Sequence, residues 1–220
     1  TLTVELSEIQ QNMGINLDDI IVDWVPRLNI APTQSILAVN HPVERRVIPM
    51  RWGLIPFWAK DETIGSRMIN ARGETLDEKP SFRKSLQTRR CLILADGFYE
   101  WRQMDSKSKV PYYFHLENHI PFTFAGLWDA WKAPTGESLL SCTIITCEAN
   151  ECVSPIHARM PVILDAQNCW TWLDEKAASD YRNILKPYPA EKMRAYAVNR
   201  YVNDPSRDTA ELILPANLSD

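Results

Sequence analysis

The 220-residue sequence lacks the features of secreted and membrane-spanning chains. Its five cysteines are an odd number without the spacing of a disulfide framework, and no secretory signal precedes them. The longest apolar runs fall far below the roughly 18–20 residues that span a bilayer. Internal repeats, low-complexity tracts and long linkers are missing as well. We therefore expect a soluble intracellular protein in a reducing compartment.

An excess of positive charge is also missing, because 24 lysines and arginines stand against 28 aspartates and glutamates. The net charge of −4 argues against a protein that coats nucleic acid through its overall charge. A local basic face remains compatible with this balance, since affinity for phosphates follows the local cluster. With 45% apolar residues the chain can build a full core, and we expect a single domain over residues 1–220.

Short strand patterns dominate the sequence, and few helices separate them. This arrangement predicts an α+β fold with a mainly antiparallel, curled or barrel-like β-sheet core and short flanking helices. The predicted strands are Ser35–Asn40, Arg46–Trp52, Cys91–Ala95, Tyr112–Leu116, Phe122–Leu127, Cys142–Thr146 and Met193–Val198. The predicted helices are Ser7–Gly14 with Ser7 as N-cap, Pro80–Gln87, Asn168–Trp172 and Ala178–Leu185. Loops are expected at residues 29–33 and 56–66.

The segment Ala95–Trp101 places one carboxylate, Glu100, between aromatic side chains directly after an apolar run. We expect Gly97 to supply the polar turn that ends this run. An acid held against aromatic rings loses hydration, which raises its pKa toward the range useful for general acid–base catalysis. The alternative is a glutamate whose carboxylate lies in water and whose stem packs on Trp101.

Two further segments favour the functional interpretation of Glu100. Asn70 and Arg72 lie in one of them, and His157 and Arg159 lie in the other, each pair among apolar neighbours. The three segments together supply an acid, an amide, a histidine and two guanidinium groups. This is the composition of a site.

Basic residues cluster in the first half of the chain, with aromatic residues between them. The cluster consists of Arg45, Arg46, Arg51, Arg67, Arg72, Arg83, Lys84, Arg89 and Arg90. Single-stranded nucleic acid needs charge for its phosphates and aromatic faces for its bases, and this pattern offers both. A solvated basic face beside core aromatics is the alternative.

Several separated motifs, in order, resemble one family. They include Arg51–Lys60, Ile69–Arg72, Lys79–Arg83, Asp96–Trp101, Phe124–Trp128 and His157–Pro161. On these motifs the chain is identified as a member of the SRAP (SOS response-associated peptidase) family, which processes abasic sites in the DNA damage response. The resemblance runs from Asn29 to Ile213, nearly the full chain.

The resemblance implies a sensor that protects abasic sites in single-stranded DNA by forming a covalent DNA–protein crosslink. The family's nucleophile is an N-terminal cysteine, exposed when the protein removes its own initiator Met. Its amine forms a Schiff base with the sugar aldehyde, and its thiol closes a thiazolidine ring. We expect no cofactor and no metal, since Cys142, Cys147 and Cys152 lack the close paired spacing of zinc sites. A monomer is expected, cytoplasmic and nucleoid-associated in a bacterium or nuclear in a eukaryote.

The resemblance also implies a role for individual residues. Glu100 would shuttle protons during condensation, Asn70 would orient the sugar or the amine, and His157 would assist opening of the sugar ring and reversal. The positions that resemble DNA contacts are Pro32, Phe57, Trp58, Arg72, Trp101 and Arg159.

The sequence departs from the family at its start. Thr1 stands where a Met-Cys-Gly-Arg-aromatic opening should already have ended, so about five residues, with the nucleophile, are expected to precede it. The internal cysteines are poor substitutes, since free cysteine is usually a small core residue. Two other functions stay open: a noncovalent single-stranded DNA-binding module, and a thiol peptidase or hydrolase that uses an internal cysteine with His157.

Overall fold

Five strands close into a mixed barrel in the computed structural model, which describes residues 1–16, 25–174 and 181–216. The strands are β1 (Ser35–Val39), β2 (Val47–Trp52), β3 (Asn70–Arg72), β4 (Arg90–Ala95), β5 (Gly97–Gln103), β6 (Lys109–Leu116), β7 (Phe122–Lys132), β8 (Ser138–Glu148), β9 (Arg159–Pro161), β10 (Ile163–Leu164) and β11 (Met193–Ala197). The barrel order is β1–β2–β8–β7–β4, and β4 returns to pair with β1. All of these pairs are antiparallel except β2–β8. The predicted α+β fold with a barrel-like core is confirmed.

A second sheet of three antiparallel strands, β11–β6–β5, lies beside the barrel. The chain passes from the barrel to this sheet at Asp96, between β4 and β5. The prediction of a turn at Gly97 was wrong, because Gly97 is the first residue of β5 and pairs with His115. A Cβ at position 97 would lie 2.3 Å from the Tyr113 hydroxyl oxygen, so only glycine lets β5 pass under that ring.

The core lies inside the barrel and continues beneath the helices. Every residue of β4 is buried, as expected for a strand covered on both faces. Trp172 is fully buried and donates through Nε1 to the carbonyl oxygen of Cys91 at 3.1 Å. Burying one large apolar side chain stabilises a fold by roughly 1.5–3 kcal/mol, so this continuous core stabilises the strands around it.

Four short α-helices flank the sheets: α1 (Leu6–Met13), α2 (Pro80–Thr88), α3 (Cys169–Leu173) and α4 (Tyr181–Ile184). Ser7 was wrongly predicted as an N-cap, because extended Glu5 precedes the helix and Ser7 lies within it. Gly14 caps the C-terminal end of α1. Its φ is 63°, and its N–H donates to the Gln10 carbonyl oxygen. Residues 178–180 of the last predicted helix lie outside the described residues. No helix among the described residues is long and apolar enough to cross a membrane.

The predicted loop over residues 56–66 holds a 3-10 helix at its end, Glu62–Arg67. Asp61 caps this helix by accepting the N–H of Thr63 at 2.9 Å, a local interaction that the apolar pattern does not reveal. The strands β3, β9 and β10 also escaped prediction, because segments of two or three residues carry no readable alternation.

Candidate functional site

A cavity of about 470 Å³ lies between the barrel and the second sheet. Barrel side chains form an apolar floor that includes Ile36, Ile93 and Phe124. β3, β5 and the loops around residues 29–32 and 202–205 complete the lining and supply the polar side chains Asn29, Asn70, Glu100 and Asn203. The cavity thus combines an apolar floor with a small number of polar side chains, as ligand sites commonly do.

Glu100 reaches this cavity from the middle of β5, where it pairs with Tyr112 of β6. Its side chain is 24% exposed. Burial raises the pKa of the Glu100 carboxyl above its ordinary value, and the nearby His157 opposes this shift more weakly. The direction agrees with the prediction from sequence. The carboxyl is therefore suited to hold a proton at a pH where a solvated glutamate has lost it.

His157 approaches Glu100 from the loop before β9. The distance from its Nδ1 to Glu100 Oε1 is 3.7 Å, too long for a hydrogen bond but close enough for attraction when the imidazole is charged. Nδ1 lies 2.8 Å from the Arg159 carbonyl oxygen, to which it donates when it carries the proton, and 3.2 Å from the Arg159 N–H, from which it accepts when Nε2 carries the proton. In the tautomer with the proton on Nδ1, Nε2 keeps its lone pair for a substrate, and in the other tautomer Nε2 can donate a hydrogen bond.

Asn70, Pro32 and Trp101 line the same cavity as Glu100. Asn70 begins β3, which is held in parallel register against β8. Trp101 is fixed at its edge, because its Nε1 donates to Asn203 Oδ1 at 2.8 Å. The structure therefore brings four of the sequence-predicted residues to one cavity and places His157 beside it.

Two predicted phosphate contacts differ in their surroundings. Arg159 donates to both carboxylate oxygens of Glu74, at 2.8 and 2.9 Å, and this pairing lowers the pKa of Glu74. It also donates to the Thr146 carbonyl oxygen at 2.7 Å. Arg72 is exposed and forms no ion pair with another described residue. A phosphate could approach Arg72 directly but would compete with Glu74 for Arg159.

Phe57 and Trp58 lie outside the cavity wall and belong to a separate surface. We call this surface the outer patch, and it comprises Phe57, Trp58, Lys60, Arg67 and Lys84. Phe57 is 48% exposed and Trp58 is 51% exposed. The Lys84 Nζ lies 4.2 Å from the centre of the Phe57 ring, a cation–π contact. Trp58, Lys60 and Arg67 share a shallow hollow.

Part of the predicted basic cluster serves the fold instead. Arg90 is buried, donates to the carbonyl oxygens of Leu86 and Trp172, and lies over the Trp172 ring. Arg89 pairs with the buried Asp129. Composition could not distinguish these two buried or paired arginines from the exposed ones. A guanidinium group can be buried when carbonyl or carboxylate oxygens accept its hydrogen bonds, and such partners are not evident from the sequence.

The sequence analysis missed a buried carboxylate beside the cavity, Asp96. Asp96 is 2% exposed and accepts hydrogen bonds from Thr1 Oγ1 at 2.6 Å, from Val4 N at 3.0 Å, and from the N–H and the hydroxyl of Thr3. Thr1 lines the cavity, and its nitrogen donates to the Gly97 carbonyl oxygen at 2.9 Å. The only sequence signal was the position of Asp96 within the Glu100 motif.

The cysteines are core residues, as predicted. Cys91, Cys142, Cys147 and Cys169 are buried, and Cys152 is half-buried. Burial raises the pKa of every one of these thiols, that of Cys147 to about 12 and that of Cys169 to about 11. Within residues 1–16, 25–174 and 181–216, no group of three His, Cys, Asp or Glu side chains is arranged to hold a metal ion.

Comparison with known proteins identifies the family. The family described as SOS response associated peptidase (SRAP) matches residues 1–205, and the chain belongs to it. Abasic site processing protein YoqW of Bacillus subtilis is 47% identical over 218 residues, which cover 97% of this chain and 96% of that protein. Abasic site processing protein HMCES of Mus musculus is 33% identical over 205 residues, 80% of this chain and 58% of the mouse protein. The resemblance stated from the motifs is confirmed.

Solved structures share the architecture. A protein of Bordetella bronchiseptica superimposes with a TM-score of 0.78 at 29% identity, covering 90% of this chain and 98% of that one. A protein of Bacteroides thetaiotaomicron gives 0.74 at 31% identity, covering 84% of this chain and 82% of its own. The barrel with its added three-stranded sheet is therefore a recurring fold.

Proposed function

We propose that this protein processes abasic sites and attaches covalently to those in single-stranded DNA. Relatives over nearly the full chain carry the name abasic site processing protein. The observation that carries the proposal is the desolvated Glu100 in a cavity that Asn70 and Thr1 also line, with His157 Nδ1 3.7 Å from Glu100 Oε1. Condensation of an amine with an aldehyde needs proton transfers, which these groups can perform.

The nucleophile in this proposal is a cysteine that precedes Thr1 by a short segment. Thr1 lines the same cavity as Glu100, so residues joined to the Thr1 nitrogen would begin at this cavity. A terminal amine has a reference pKa of roughly 7.7–8.0, so a useful fraction is neutral at physiological pH. The same site would remove the initiator Met and so free this amine.

The reaction loses one water in all. His157 moves a proton from the C1′ hydroxyl to the ring oxygen of the sugar, which opens the ring to an aldehyde. The amine attacks C1′, and one of its protons passes to the carbonyl oxygen, which becomes a hydroxyl. Protonated Glu100 gives its proton to this hydroxyl, which leaves as water while the C=N bond forms, and the carboxylate then takes the second proton from nitrogen. The thiol sulfur then adds to C1′, its proton passes to nitrogen, and a thiazolidine ring closes. Asn70 orients the sugar or the amine.

The DNA strand in this proposal runs from the outer patch to the cavity. Phe57 and Trp58 offer faces for bases, and Arg72 offers charge for a phosphate. Trp101 and Pro32 border the lesion itself. Arg159 contributes a phosphate contact when its guanidinium group gives up one of its hydrogen bonds to Glu74.

A thiol hydrolase that uses an internal cysteine has little support. The thiolate is the reactive form, and burial raises the pKa of all five thiols. A noncovalent DNA-binding module retains support from the outer patch, whose exposed aromatic and basic side chains bind without any reaction.

The test uses protein expressed from its native start codon and single-stranded DNA with one abasic site. A denaturing gel should show a shifted band with this DNA and none with undamaged DNA of the same sequence. DNA whose abasic site has been reduced to the alcohol is the sharper control, since it keeps the shape and lacks the aldehyde. Complexes that dissociate in denaturant for all three DNAs would support the noncovalent module instead.

A further inference from the structure

Asp96 has no role in the proton transfers, yet it is the most heavily hydrogen-bonded carboxylate beside the cavity. Its two oxygens accept from two backbone N–H groups and two hydroxyl groups, all within Thr1–Val4. A carboxylate that is 2% exposed is costly to bury unless its lone pairs are satisfied, and this segment satisfies them. Folding therefore couples this buried charge to the first residues of the chain.

The backbone strengthens the same contact. Asp96 N donates to the Thr1 carbonyl oxygen at 3.2 Å, and Thr1 N donates to the Gly97 carbonyl oxygen at 2.9 Å. On the other side, Leu2 exchanges two backbone hydrogen bonds of 2.8 Å with Arg27. The segment is thus held from both sides. The Asp96 carboxylate accepts hydrogen bonds from both the Thr1 and the Thr3 hydroxyl groups, and the Tyr113 hydroxyl oxygen lies 3.3 Å from Thr1 Oγ1.

We propose that Asp96 is a positioning residue that fixes Thr1–Val4 so that the residues joined to Thr1 enter the cavity in the geometry needed for attack. This inference rests on the proposed function, in which the nucleophile precedes Thr1. Only a short segment would join Thr1 to the reacting amine. A small shift of Thr1 would therefore displace the amine within the cavity. Misplacement by about 1 Å can cost a reaction roughly 100-fold in rate.

The test is single-turnover crosslinking to abasic-site DNA by protein with its native start, for the parent and for Asp96→Asn. The asparagine keeps the size but turns N–H donors toward the donors of Thr1–Val4. We expect the rate at saturating DNA to fall about tenfold or more, with half-saturating DNA concentration and final yield close to those of the parent. Asp165→Asn, which removes a carboxylate at α3, should leave the rate unchanged.

Thr3 provides a milder pair of variants in case Asp96→Asn folds poorly. Thr3→Val removes the hydroxyl and keeps the shape, and should slow the reaction about threefold, whereas Thr3→Ser should react like the parent. A merely structural role lowers the yield, since unfolded molecules do not react, and leaves the rate of the remainder unchanged. That pattern, or unchanged rates in Asp96→Asn and Thr3→Val, overturns the inference alone. A parent that forms no adduct overturns the proposed function and the inference with it.

Discussion

The cavity and the outer patch use charged and aromatic side chains in opposite ways. In the cavity, Glu100 is largely desolvated and its pKa is raised, and Trp101 is fixed by a hydrogen bond to Asn203. In the outer patch, Phe57 and Trp58 are about half exposed and their cationic neighbours lie in water. Desolvation favours proton transfer, and exposed faces favour reversible stacking. From this difference we expect the chemical step to depend on the cavity and the DNA affinity to depend on the outer patch.

The largest expected effect comes from removing the acid of the cavity. Glu100→Gln keeps the shape but cannot release or accept the catalytic proton, so the single-turnover crosslinking rate at saturating DNA should fall about 100- to 10,000-fold. The concentration of DNA at half-saturation should stay within about twofold of the parent. Glu117→Gln, a carboxylate paired with Arg194 away from the cavity, should behave as the parent. Equal rates for Glu100→Gln and the parent would remove Glu100 from the mechanism.

The opposite signature is expected from the outer patch. The double variant Phe57→Ala, Trp58→Ala should weaken DNA binding by roughly 1–3 kcal/mol per lost stacked base and leave the rate at saturation unchanged. Tyr201→Ala is a matched control, because Tyr201 is 45% exposed and Arg207 lies 4.3 Å from its ring centre. Fluorescence anisotropy with undamaged single-stranded DNA measures the affinity. A loss of saturating rate in the double variant would break the division between patch and cavity.

A smaller effect on affinity is expected at Arg72. Because each neutralised phosphate contributes about 0.7 to the salt slope for single strands, Arg72→Ala should lower both the affinity and that slope by one contact. Arg207→Ala removes the same charge on the Tyr201 side and should change neither beyond a small general effect. Titrations at several salt concentrations separate the two. An unchanged slope would mean that Arg72 touches no phosphate.

The smallest expected effect is on stability. Folding raises the pKa of Glu100 by desolvation, so the unfolded chain ionises first as pH rises above the ordinary value of 4.5. The parent therefore loses stability relative to Glu100→Gln from that pH upward, until the folded carboxyl has also ionised. In thermal unfolding between pH 4 and 8, the melting temperature of Glu100→Gln should rise relative to that of the parent as the pH increases. A difference that is constant with pH would argue against a desolvated carboxyl.

Much of the barrel was readable from the sequence because its strands are apolar and flanked by polar turns. Ser35–Asn40 and Cys91–Ala95 were predicted to within one residue of β1 and β4. In the second sheet, β6 and β11 overlap predicted strands, but β5 was missed, since Glu100 was expected near a turn and lies in mid-strand. The local sequence suggested a turn at Gly97. The actual reason for glycine there is the ring of Tyr113, which lies over Gly97 from the neighbouring strand and is not part of the local pattern.

The candidate site was predictable in its residue types and not in its connections. Motifs gave Asn70, Glu100 and His157 as members of one site, but no local pattern encodes the 3.7 Å approach of His157 to Glu100. The pairing of Arg159 with Glu74 joins residues 85 positions apart. Such contacts depend on how loops meet over the barrel, so they appear only in three dimensions.

Peptide mapping of the DNA adduct tests the proposed chemistry most directly. Protein expressed from its native start is reacted with abasic-site DNA, and the intact mass and the attached peptide are determined by mass spectrometry. We predict a mass equal to protein without its initiator Met plus DNA minus one water, with the attachment at an N-terminal cysteine. Attachment at an internal side chain, such as Lys109 near Glu100, would contradict N-terminal chemistry, as would a complex with no covalent mass.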